Sequence, residues 1–116
     1  MHEYSIVQSL VGRVAEEAAR VGATRVHRLE VRIGELSGVE IDLLETAYET
    51  FREGSICDGA PMEVTFVPAR WRCDGCGQGF ARGEVLRCAA CERPARLVEG
   101  DEIYLDRIEM EAPDHV

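Results

Sequence analysis

Four cysteines place the tightest constraint on this chain. They fall as Cys73-Asp74-Gly75-Cys76 and Cys88-Ala89-Ala90-Cys91, a C-x2-C-x11-C-x2-C pattern. Two residues between paired cysteines let both sulfurs turn toward one point, and two such pairs can surround a tetrahedral cation. Four thiolates with no position left open are the ligand set of a structural Zn(II) site. Gly75 and Gly77 suit the tight turns of a knuckle, because glycine takes positive φ without steric cost. Two disulfides or a redox dithiol are the competing readings. Disulfides need an oxidising compartment, yet the start Met1-His2-Glu3 has no basic n-region and no apolar run, so no signal peptide is expected. The fifth cysteine, Cys57, is harmless in a reducing cytoplasm and receives no role; the expected location is cytoplasmic. A redox dithiol fits poorly, since paired knuckles invite a metal that would occupy the thiolates.

Charge narrows the function classes. The formal net charge is -9, and all 13 basic residues are arginine. Such a balance repels phosphate backbones, so nucleic acid is not an expected partner of the whole chain. Residues 69–100 differ, with six arginines against four acids. Arginines there offset the formal negative charge of four thiolates around Zn(II), or else form an anion-binding patch. No stretch approaches the roughly 20 apolar residues needed to cross a bilayer. No Ser/His/Asp, Cys/His or open metal arrangement is evident, so an enzyme is not expected.

Apolar periodicity predicts the elements. Ile6, Val7, Leu10, Val11, Val14, Ala15 and Ala18 recur at helical spacing between Ser5 and Val21, and Gly22 stops the run. Ser5 or Glu3 can satisfy the first free amides. Leu29, Val31 and Ile33 then alternate with Arg28, Glu30 and Arg32 as a half-buried strand. A second helix is expected from Glu40 to Arg52, and a strand through Met62, Val64 and Phe66 that Pro68 ends. The final strand, Glu102 to Glu111, loses its alternation at Asp106-Arg107, which suggests a bulge. It needs a sheet to join, and the cysteine segment is too small to offer one. The expected fold class is α+β: a small mixed three-stranded sheet with two helices, plus an inserted zinc-ribbon-like lobe. Residues 1–68 and 101–116 would form the main domain and 69–100 the insert, lying between two strands that pair within the main domain. His27 is in phase with Leu29 and Val31, which predicts a packed or edge-strand histidine. His115 falls in a frayed tail. Trp71 is expected to pack the lobe against its neighbours.

The amino terminus forms a second constellation. A large second residue blocks removal of the initiator methionine, which leaves His2 penultimate. The Met1 α-amine, the His2 amide and the His2 imidazole can then close small chelate rings on one ion, a nitrogen-rich planar set suited to Ni(II) or Cu(II). Spacing alone leaves open that His2 is an ordinary exposed polar residue.

Taken together, Met1-His2-Glu3-Tyr4-Ser5, Ile33-Gly34-Glu35-Leu36-Ser37-Gly38-Val39-Glu40, Ala47-Tyr48-Glu49-Thr50-Phe51 and the cysteine quartet resemble the HypA/HybF family over nearly the whole chain. These are nickel metallochaperones of [NiFe]-hydrogenase maturation. The resemblance implies Ni(II) as transferred cargo at the amino terminus, held by the Met1 amine, the His2 side chain and the backbone nitrogens of His2 and Glu3. It also implies Zn(II) as a structural ion on Cys73, Cys76, Cys88 and Cys91. Glu40 matches an acidic family position near the nickel site, and at a helix start it would equally serve the helix dipole. Implied partners are a nickel-handling GTPase of the HypB type, the hydrogenase large-subunit precursor and, in some members, urease accessory proteins. The second knuckle lacks the proline that the family often carries, a departure that touches turn rigidity and not ligand identity. The competing function is a zinc-ribbon interaction module that binds nucleic acid or a transcription complex, drawing on the lobe's arginines, Trp71 and Phe80.

Overall fold

The computed structural model describes residues 2–113, with only the backbone of His2. Chain order is α1 (His2–Val21), β1 (Arg25–Gly34), α2 (Ile41–Phe51), β2 (Met62–Val67), β3 (Arg70–Arg72), β4 (Gly79–Ala81), β5 (Arg87–Cys88), β6 (Arg93–Pro94), β7 (Arg96–Glu99) and β8 (Ile103–Glu111). The fold is α+β, as expected. β1 is the centre of a mixed three-stranded sheet, parallel to β2 and antiparallel to β8. The two strands on either side of the cysteine segment therefore do not pair with each other; each pairs with β1.

Both helices cover one face of this sheet. Val7, Val11 and Val14 of α1 meet Leu44 and Tyr48 of α2 over Val26, Leu29, Val31 and Ile33 of β1, all buried. Burying a side chain of that size stabilises the fold by about 1.5–3 kcal/mol relative to leaving it in water. On the other face Arg28 reaches Glu30, Glu63 and Glu109, and Arg32 pairs with Asp106 at 2.7 Å. Period-two alternation on a half-solvated sheet explains both faces.

Two register shifts interrupt the β1–β8 ladder. One skips Asp106, the predicted bulge; the other skips His27. That second shift corrects the expectation for His27. It lies on the central strand, but the bulge turns Val26 into the core and leaves the imidazole exposed, 3.1 Å from Glu111. His115 lies outside the described residues.

Between β2 and β8 the chain builds a separate small unit: a β4-β3-β7 sheet and the β5-β6 pair. Its core is Cys73, Phe80 and Cys88, with Trp71, Leu86, Cys91 and Ala95 packed around them. The molecule is elongated, with extents of 57 × 35 × 16 Å. Among the described residues no helix is long and apolar enough to cross a membrane.

Candidate metal centres

The four cysteine sulfurs lie within 4.8 Å of one another. Cys76 Sγ and Cys88 Sγ, from different knuckles, are 3.7 Å apart. For Zn–S bonds of about 2.3 Å, a tetrahedron requires sulfur separations of about 3.8 Å, so the cluster has the size and donor chemistry that Zn(II) needs. Both knuckles close the same way. The amide of Gly77 donates to the Cys73 carbonyl at 2.9 Å, and that of Glu92 to the Cys88 carbonyl at 2.8 Å. Each donor residue directly follows its second cysteine and has left-handed backbone, φ 79° at Gly77 and 54° at Glu92. Gly75 serves differently from the sequence expectation. Its φ is not positive; instead, a Cβ there would lie 2.9 Å from Cys91 Sγ, so glycine provides room for the sulfurs.

The surrounding amides make the cluster ready for a cation. The amide of Cys76 donates to Cys73 and, against the opposing effect of burial, brings its thiol down to about 7, with help from the amide of Gly75. Cys91 is pushed up to about 12, first by its hydrogen bonds to the Cys73 and Cys76 sulfurs. A metal bound by thiols displaces their protons, so its hold on the quartet weakens as pH falls. Around the lobe, Arg70 pairs with Glu99, Arg96 with Asp74 and Arg82 with Glu35. Half of the lobe's arginines are thus engaged with the protein's own carboxylates, which weakens the nucleic-acid alternative.

At the other end, Met1 and the His2 side chain lie outside what is described. Glu3 and Tyr4 fasten the first turn of α1 to α2. Glu3 Oε2 accepts the Glu40 amide at 3.1 Å, and the Tyr4 ring meets Phe51 edge-on at 5.4 Å between centroids. Glu40 is the N-cap residue of α2 with extended backbone, and its own side chain makes no capping hydrogen bond. Glu3 and Glu40 lie at the starts of the two helices, whereas the cysteine quartet lies in the small unit between β2 and β8.

Sequence reading passed over two features. Cys57 is fully buried beneath Tyr48, whose hydroxyl donates to the Ala60 carbonyl at 2.8 Å; burial raises both of their pKa values. A lone thiol in a Gly- and Ser-rich loop carries no periodic signal that would reveal this. Glu35, within the quoted motif, accepts the Ala69 amide at 2.8 Å and Arg82 at 2.6 Å. The available signal was an acid standing where the row Leu29, Val31, Ile33 would continue with an apolar residue.

A family model described as "Hydrogenase/urease nickel incorporation, metallochaperone, hypA" matches residues 1–110. The chain is 40% identical over 113 residues to a hydrogenase maturation factor HypA of Shewanella oneidensis, covering 96% of each. It is 39% identical over 117 residues to that of Wolinella succinogenes, covering 98% of each. The fold is similar to the solution structure of the Ni metallochaperone HypA from Helicobacter pylori, with TM-score 0.71 and 32% identity over 95% of this chain and 97% of that one. A second HypA solution structure gives 0.78 and 33% identity, covering 97% and 98%.

Proposed function

The chain belongs to the HypA family, and from that premise we propose that it is a nickel metallochaperone that binds Ni(II) at its amino terminus and delivers it to a [NiFe]-hydrogenase under assembly. The Met1 amine, the amide nitrogens of His2 and Glu3 and the His2 imidazole are the donors. One observation carries this reading: the hydrogen bond from the Glu40 amide to the Glu3 carboxylate. It holds the start of α2, where the acidic residue Glu40 stands, against the first turn of α1.

Helix electrostatics adds a constraint on the chemistry. The positive end of α1 repels a bare dication but favours anions. Two amides that lose their protons to nickel neutralise it formally. Uptake is thereby tied to proton release and weakens as pH falls. Such a set, one side chain plus backbone nitrogens at a chain end, needs no buried pocket to be opened when the cargo leaves.

Residues 69–100 act as a distinct domain folded around Zn(II) on Cys73, Cys76, Cys88 and Cys91. The ion is structural, since all four positions are filled by protein. The partners of this reading are a HypB-type GTPase, the hydrogenase large-subunit precursor and, where urease is made, its accessory proteins. A single residue added ahead of Met1 displaces the α-amine from the chelate. Calorimetry should then show a large loss of nickel affinity at unchanged zinc content. Undiminished nickel binding in the extended chain would remove the amine from the site.

A further inference from the structure

Gly34 and Glu35 belong to the motif at the end of β1 but to neither candidate metal centre. The segments that enter and leave the cysteine lobe, Pro68-Ala69 and Gly100-Asp101, cross beside them. A Cβ on Gly34 would come within 2.4 Å of the Gly100 carbonyl carbon, and one on Gly100 within 2.5 Å of Ala69 Cα. Three backbones therefore touch directly. The amides of Gly34, Glu35 and Leu36 donate to Glu102, Val67 and Gly100 respectively. This crossing is a pivot: it fixes where the lobe attaches, but all its bonds lie at one end of the lobe.

The Glu35 side chain adds the second point. One carboxylate oxygen accepts the amide of buried Ala69 at the pivot, and the other accepts Arg82 in the turn after β4. Glu35 is largely covered, with 19% of its side chain exposed, while Arg82 is 67% exposed. We propose that Glu35 is a latch that sets the orientation of the cysteine lobe on the helix-bearing body, and that releasing it lets the lobe swing about the Ala69–Gly100 crossing. Two anchors, one on the axis and one off it, remove the rotation that either alone would allow. The exposed arginine makes the outer anchor exchangeable, so orientation can be altered without unfolding either core. Nothing in this depends on nickel at the amino terminus.

Residual dipolar couplings and 15N relaxation on the full-length zinc-loaded chain test it. The wild type should fit one alignment tensor across β1, α2 and the lobe. In Glu35→Ala the lobe couplings should shrink and depart from the body's tensor, while amide shifts near Leu44 and Cys88 stay in place. Glu35→Gln, which keeps an acceptor for Ala69, should fall between the two. Arg82→Ala removes only the outer anchor and serves on its own if Glu35→Ala fails to fold. A single shared tensor in the variants, or separate tensors already in the wild type, would overturn the proposal. Zinc content measured on the same samples separates this failure from failure of the zinc assignment.

Discussion

Glu35 illustrates how one carboxylate records its surroundings. The Ala69 amide, and then Arg82, stabilise its charged form and lower its pKa below the ordinary glutamate value. A group whose folded pKa is depressed contributes stability that is fully present above its unfolded value, near 4.3 for glutamate, and is lost as pH falls through the folded pKa. Thermal melts should therefore show Glu35→Gln less stable than wild type by a constant margin from pH 5 to 8, with the margin closing in more acidic solution. A margin that grows on acidification would contradict the assignment. Residues of this kind were half-legible. His27 was read in phase with Leu29 and Val31, and the strand was predicted correctly around it, yet a one-residue bulge moved it to the surface. Bulges depend on the partner strand, so no property of the His27 segment by itself announces one.

Among the elements, those with a long repeat were the most readable. α1 declared itself by its apolar stripe, and β1 by alternation, because burial against a single core imposes one period over many residues. The Asp106 bulge was visible as a break in that period. The knuckles are too short for a period, and there the structure adds something. Gly77 and Glu92 hold equivalent left-handed positions, but only one of them is glycine. A side chain in that conformation costs roughly 1 kcal/mol relative to glycine. Glu92→Gly should accordingly hold zinc several-fold more tightly in competition with a chromophoric chelator. Equal or weaker retention would mean that Glu92 gains as much from its contacts as its backbone loses.

The molecule as a whole is two cores joined at one crossing. The main core draws on both helices and the mixed sheet; the core of the lobe is a cluster of three buried residues, two of which are cysteines of the quartet. An apolar core of that size does not hold a fold without its metal. Stripping zinc should therefore shift the emission of Trp71, the chain's single tryptophan, to the red and abolish hydrogen-exchange protection through β3–β7. Helical circular dichroism should persist, because both helices lie outside the lobe. Loss of helix together with zinc would show the two cores to be one cooperative unit. This division was legible in composition, where the chain turns to arginine, glycine and cysteine after Pro68. The direct backbone contacts at the crossing were not, because they join residues more than thirty positions apart. The proposed amino-terminal site rests on resemblance, since three residues without periodicity or spacing say little by themselves.

On the proposed reading, this chain carries two metals at two sites for two purposes. Metal analysis of the purified protein after nickel loading, in wild type and in His2→Ala, tests it most directly. Stoichiometric nickel and zinc are predicted in the wild type, and in the variant zinc unchanged with nickel lost. Nickel retained at the wild-type level in His2→Ala, or nickel gained only as zinc departs, would move the cargo site to the cysteines and contradict the account.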